Sequence, residues 1–122
     1  MTIARMTFKE MCAEFEVTPR TLRYYEYIEL LTPEKQGRNR FYTPREIGRM
    51  KLIMRGRRFG FSLEEIRQWL EIYNSESSEN QMKVWIEFAD RQLETLKQQQ
   101  SDLNGAIGEL KKLRDETADR LS

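Results

Sequence analysis

A chain of 122 residues has room for one compact domain and one extended element, but not for two full domains. Its composition, 39% apolar and 34% charged, contains no apolar run approaching the ~20 residues that span a bilayer, and the N-terminus lacks the apolar core of a signal peptide, so a cytoplasmic protein is expected. The net charge of +1 is unevenly spread, with 14 Lys/Arg against 10 Asp/Glu in residues 1–74 and 7 against 10 in residues 75–122, which points to the front half as the part that meets a polyanion.

The absence of His removes the commonest general base and the commonest metal ligand together. The single Cys12 excludes a disulfide within one chain. No nucleophile–base pair, Gly-rich phosphate loop or metal-ligand spacing occurs, so neither catalysis nor a cofactor is expected.

Along the chain, Phe8, Met11, Cys12 and Phe15 fall at i, i+3, i+4 and i+7, the stripe of a short amphipathic helix, with Cys12 as a buried structural thiol. Thr18 with Pro19 opens a second helix after the tight turn Phe15-Glu16-Val17, giving a helix-turn-helix. Between Thr32 and Tyr42, Pro33, Gly37 and Asn39 break helicity while Arg40, Phe41 and Tyr42 suit a strand, so a hairpin or wing is predicted. Thr43-Pro44-Arg45-Glu46, Ser62-Leu63-Glu64-Glu65 and Ser78-Glu79-Asn80-Gln81 have the form of capping boxes, each ahead of helical apolar spacing. The helix from Pro44 is expected to stop near Phe59, where Gly60 supplies a left-handed terminator. The next carries Leu63, Ile66, Trp69, Leu70 and Tyr73 on one face, and Asn74 to Ser78 forms a polar connector. Trp69, Tyr73 and Trp85 are assigned to core packing in preference to a small-molecule pocket.

From Glu79 to about Ala118 no proline occurs. Met82, Ile86, Ala89, Leu93, Leu96, Gln100, Leu103, Ile107, Leu110, Arg114, Thr117 and Leu121 alternate steps of four and three, the seam of a coiled coil. A lone rod cannot bury its own seam, so homodimerisation through Met82, Ile86, Ala89, Leu93, Leu96, Leu103, Ile107 and Leu110 is expected.

In the second helix, Arg20, Arg23, Tyr24 and Tyr27 make one stripe of cations and phenols, while Leu22 and Tyr25 face elsewhere. Arg forks onto guanine or phosphate and Tyr hydroxyls bond backbone oxygens, which is the chemistry of a helix laid in the major groove of duplex DNA. Thr18, Arg20, Thr21, Arg23, Tyr24 and Tyr27, with Lys35, Arg38, Arg40 and Tyr42 on the wing, are the candidate DNA contacts. Arg45, Arg49, Arg55, Arg57 and Arg58 are within possible reach of phosphates, with a solvated helix surface at least as good a reading for most of them.

Val17-Thr18-Pro19-Arg20-Thr21-Leu22-Arg23-Tyr24-Tyr25-Glu26, Leu30-Leu31, Arg40-Phe41-Tyr42 and Gly60-Phe61-Ser62-Leu63-Glu64-Glu65-Ile66 resemble the MerR family of bacterial regulators over residues 1–74. The resemblance implies a mainly α fold: a winged helix-turn-helix DNA-binding domain in 1–74, then a dimerisation helix in 75–122 pairing as an antiparallel coiled coil. It also implies promoter binding at an inverted repeat, with distortion of the promoter spacer for RNA polymerase, a further candidate partner. Segments 51–63 and 70–73 look most like short regulators of leucine/isovalerate and acyl-CoA catabolism. Family members that sense metals or redox state use cysteines near the far end of the dimerisation helix, where this chain has none. The chain ends at Ser122, directly after the rod, so any effector is expected at the dimer junction, through a partner, or not at all. One departure is Glu16, where the family commonly has glycine; positive φ there would strain the chain by about 1–2 kcal/mol. A DNA-bending architectural factor and a coiled-coil interaction adaptor are the alternatives.

Overall fold

Capping chemistry sets where the helices begin. In a computed structural model that describes residues 5–74 and 78–122, the elements in chain order are β1 (Met6–Thr7), α1 (Phe8–Phe15), α2 (Pro19–Tyr27), β2 (Glu34–Gln36), β3 (Asn39–Tyr42), α3 (Pro44–Arg58), α4 (Leu63–Asn74) and α5 (Glu79–Leu121). The chain divides into two compact units, Met1–Ser77 and Ser78–Ser122. The Tyr73 side chain and most of the predicted connector at 74–78 lie outside the described residues.

Ser62 with Glu65 and Ser78 with Gln81 form reciprocal capping boxes, as their sequences predict. A further box, unread in the sequence, joins Thr7 and Glu10 at the start of α1, and hydrogen bonds from Thr7 hold the Glu10 carboxyl below its usual range. The Thr43 box is only half formed. Thr43 Oγ1 accepts from Glu46 N at 3.4 Å, but the buried Glu46 side chain turns inward and accepts from Thr32 N at 2.6 Å. Arg49 stands 3.6 Å from the same carboxylate and donates to Leu30 O at 3.0 Å, so α3 anchors the chain that leaves α2. Helix α5 runs to Leu121, the last residue of the predicted seam.

Helices α1 and α2 both end in turns of the same type. Val17 N bonds Cys12 O and Leu30 N bonds Tyr25 O, each a six-to-one closure around a left-handed residue, Glu16 at φ 52° and Glu29 at φ 63°. Helix α3 closes likewise through Phe61 N to Gly56 O, with Gly60 at φ 84°. The three strands form one antiparallel sheet in the order β1-β3-β2, with Met6 opposite Tyr42 and Lys35 opposite Arg40.

The core of the first unit is built from Met11, Leu22, Tyr25, Leu30, Leu31, Tyr42, Met50, Ile53, Ile66 and Leu70, all essentially sealed from solvent. Trp69 packs with Phe59 and Phe61 in an aromatic cluster with ring centroids 6.2–6.4 Å apart. Gly56 lets α4 approach α3: a Cβ there would sit 2.8 Å from Ile66 Cγ1.

The second unit is a single helix of 43 residues, about 65 Å long. Met82, Ile86, Leu93, Leu103, Ile107 and Leu110 of the predicted seam are each more than half exposed, while Ala89 and Leu96 are half-buried. The buried residue of α5 among the described ones is Phe88, which the seam phase does not include.

Candidate nucleic-acid interface

Leu22 and Tyr25 hold α2 against the core, and this fixes what the helix shows to solvent. The outward face carries Arg20, Arg23, Tyr24 and Tyr27, with Tyr24 51% and Tyr27 75% exposed, large values for rings in a folded head. At the N-terminal end of α2, Thr18 Oγ1 accepts from Thr21 N at 3.1 Å and donates to Thr21 Oγ1 at 2.9 Å, so the Thr18 hydroxyl is engaged in the cap. Helix α3 contributes Arg57, whose Nη1 donates to the Tyr25 hydroxyl at 2.8 Å. Arg20, Arg23, Tyr24, Tyr27, Arg57 and Leu63 line one open cleft of about 580 Å³ on this face.

The wing is the β2–β3 hairpin, turned by Gly37 at φ 61° and Arg38. Glycine first and an ordinary φ second fit a II′ turn, whose twist matches the strands. Lys35 and Arg38 are exposed. Arg40 is partly covered: its Nε lies 3.6 Å from Glu26 Oε1 and its guanidinium 5.7 Å from the Phe8 ring centroid. Arg23 reaches the same ring at 5.6 Å. A second open cleft of about 580 Å³ lies here, lined by Phe8, Lys9, Arg23, Arg38 and Arg40 among others, with no acidic residue in its lining. Arg23 borders both clefts, so cations of α1, α2, the wing and α3 meet on adjoining surfaces.

One predicted contact is corrected. Tyr42 is fully buried and its hydroxyl donates to Glu26, leaving it no access to a ligand. Burial first, and the Glu26 carboxylate second, push its phenol far above the ordinary range, so it is a neutral donor inside the fold. On β3 it shares a face with Arg40, two residues away, so both side chains meet Glu26, Arg40 from the partly exposed side and Tyr42 from within the core.

The sequence does not single out Phe8 or Lys9 as part of this surface, and it weighs Arg57 only as one of five arginines within possible reach of phosphates. Phe8 was assigned to the core stripe of α1, and only tertiary packing sets two guanidiniums beside its ring. Arg57 belongs to an Arg-rich stretch in which no local pattern singles it out from Arg55 or Arg58. Cys12 is half-buried, and burial raises its thiol pKa. Among the described residues no group of His, Cys, Asp and Glu is arranged to hold a metal ion, and no helix is long and apolar enough to cross a membrane.

Residues 6–72 match the family described as MerR HTH family regulatory protein, and residues 47–114 match one described as MerR, DNA binding. The chain belongs to the MerR family. The HTH-type transcriptional regulator ZntR of Escherichia coli is 43% identical over 65 residues, covering 52% of this chain and 46% of that regulator. This MerR-family chain therefore spans about half the length of the curated relatives it matches in that way. A MerR family transcriptional regulator from Bacillus cereus has a solved structure with 27% identity and a TM-score of 0.72, covering 86% of this chain and 76% of that one. HiNmlR, a MerR family regulator lacking the sensor domain and solved bound to promoter DNA, shares the fold, with a TM-score of 0.62, 20% identity and coverage of 85% and 79%.

Proposed function

We propose that this MerR-family protein is a sequence-specific transcriptional regulator that binds an inverted-repeat promoter operator as a homodimer. The observation that carries the reading is the outward face of α2, where Arg20, Arg23, Tyr24 and Tyr27 stand clear of the core beside a cationic wing. In the major groove, Arg20 and Arg23 read guanine edges or grip phosphates, and the two phenols bond backbone oxygens. Thr18 and Thr21 fix the start of that helix, while Lys35, Arg38 and Arg40 reach the flanking backbone. Fold likeness to a regulator bound to promoter DNA supports the same assignment.

Residues 75–122 serve as the dimerisation helix. Its seam residues are mostly exposed in the single chain, and a second copy laid antiparallel covers them and holds two heads near a whole number of helical turns apart, about 34–36 Å per turn. Bending and untwisting the promoter spacer for RNA polymerase is the mode of action we infer, in the cytoplasm. The narrower likeness to regulators of leucine/isovalerate and acyl-CoA catabolism rests on residues 51–63 and 70–73 alone, and the relatives above do not support it.

The test is retardation of genomic fragments by the purified protein and by Arg23→Ala. Wild type should bind a limited set of fragments, resist unrelated competitor duplex and lose affinity steeply with salt, with Arg23→Ala markedly weaker. Equal affinity of the two proteins at several salt concentrations contradicts the assignment. Easy displacement by unrelated duplex favours an architectural factor, and a monomer that retards nothing favours an adaptor.

A further inference from the structure

We propose that Phe8 is a positioning residue that gathers Arg23 of α2 and Arg40 of the wing onto one backbone phosphate of the bound duplex, an inference that rests on the DNA-binding reading above. The two guanidiniums come from separate elements, yet lie 5.6 Å and 5.7 Å from the centroid of the same ring. Both are within the distance at which an aromatic quadrupole attracts a cation. Two cations drawn together without an anion between them repel, and a helix and a hairpin have many other places to put an arginine. The cleft they border is lined also by Lys9 and Arg38 and by no carboxylate. No ion pair to Lys9, Arg23 or Arg38 occurs among the described residues.

The ring supplies something that a carboxylate cannot. An acid between Arg23 and Arg40 would orient both and cancel both charges, whereas Phe8 orients both and leaves Arg23 unpaired among the described ion pairs, with Arg40 alone sharing its charge with Glu26. Glu26 completes the arrangement from one side: Oε1 stands 3.6 Å from Arg40 Nε while Oε2 accepts from the buried Tyr42 hydroxyl. Arg40 is thereby held over the cleft before the duplex arrives, and less side-chain freedom is lost on binding. A phosphodiester, tetrahedral and singly charged with two non-bridging oxygens, matches two guanidiniums approaching from different sides.

The probe is an inverted-repeat duplex selected by the wild-type protein from a random-sequence pool, with single phosphates replaced in turn by neutral methylphosphonate. One position should weaken wild type strongly, and at that position both Arg23→Ala and Arg40→Ala should lose their sensitivity to the replacement. Phe8→Leu keeps apolar bulk without the quadrupole and should weaken the unmodified duplex roughly five- to tenfold, with a shallower salt dependence. Phe8→Tyr and Phe8→Trp should restore binding. Losses for Arg23→Ala and Arg40→Ala that map to different phosphates overturn the proposal without any substitution at Phe8. So does Phe8→Leu binding as tightly as wild type, or a loss that Tyr and Trp fail to rescue. If wild type selects no duplex at all, the DNA-binding reading falls and this inference with it; selection by wild type with an indifferent Phe8→Leu removes this inference alone.

Discussion

The Tyr42 hydroxyl donates to Oε2 of Glu26, tying the last residue of the wing to the last turn of α2, while Oε1 of the same carboxylate faces Arg40. Wing and α2 are thus joined through one side chain that is only 12% exposed. Tyr42→Phe keeps the ring and removes the donor, leaving a largely buried carboxylate short of a partner. The expected loss is about 1–3 kcal/mol of folding stability. Chemical denaturation measures it, and an unchanged midpoint would mean the bond is not made.

The same pair gives the protein a response to alkali. Burial and the Glu26 carboxylate raise the Tyr42 phenol pKa above its ordinary value of 10.0, so the folded state keeps a proton that the unfolded state releases. Stability from this site is complete below pH 10 and declines as pH rises toward the elevated folded value. Ultraviolet titration should therefore show Tyr42 ionising only together with loss of helical signal. A tyrosinate signal that appears with the fold intact and that Tyr42→Phe abolishes would contradict the burial of Tyr42.

Much of this arrangement is legible in the sequence, and the reason is local. Pro19 behind Thr18, Ser62 before Glu65 and Gly60 after Phe59 act within a few residues, so spacing alone placed those helix ends. The outward stripe of α2 was likewise a matter of periodicity. What escaped depends on residues far apart in sequence. Glu46 has the form of a capping residue and instead accepts from Thr32, because the chain leaving α2 brings an unpaired amide to it. Tyr42 looks like a wing contact until the antiparallel register with β1 sets it opposite Met6, facing the core. The short strand β1 itself has too few residues to signal anything by alternation.

Two glutamates occupy backbone positions that suit glycine. Glu16 and Glu29 sit at φ 52° and φ 63° at the ends of α1 and α2, each a left-handed residue with a Cβ crowding the neighbouring carbonyl. The strain is about 1–2 kcal/mol at each, offset in a glycine variant by the ~0.5–1 kcal/mol of extra chain entropy that glycine loses on folding. Glu16→Gly and Glu29→Gly should each stabilise the head, by up to about 1 kcal/mol, while Glu16→Val should destabilise it because a β-branched side chain tolerates this conformation poorly. Thermal melts of the three variants decide the matter; a glycine variant that melts lower than wild type would show that the turns are not strained.

Gly56 poses the opposite case, where the constraint is space and not dihedral angle. An added methyl would lie 2.8 Å from Ile66 Cγ1 and 3.4 Å from Trp69 Cε3, inside the contact between α3 and α4. Alanine is the better helix former by about 1 kcal/mol, so an open site would gain stability. Here overpacking should win, for a net loss of about 1–2 kcal/mol. Gly48, on the same helix with nothing within 4 Å of its absent Cβ, is the internal control and should gain stability as alanine. Equal gains at both positions would refute the close approach.

The rod offers the last prediction. Residues 97–122 of α5 are exposed along their whole length in the single chain, and Leu103, Ile107 and Leu110 show 62%, 56% and 68% of their surfaces. Gly105 and Gly108 lie between them, each lowering intrinsic helicity by about 1 kcal/mol. A helix with that handicap and no covered face is marginal in water, since most helical stability in proteins comes from packing. Replacing Leu103 and Leu110 together with Asp should therefore give a monomer by sedimentation equilibrium and a large loss of helical signal, with the cooperative melt of the head preserved. Affinity for an inverted-repeat duplex should fall far more than affinity for a single half-site, because only the former needs two heads joined through paired rods. A double variant that stays dimeric, or one that loses both affinities equally, would place the self-association elsewhere than on this seam.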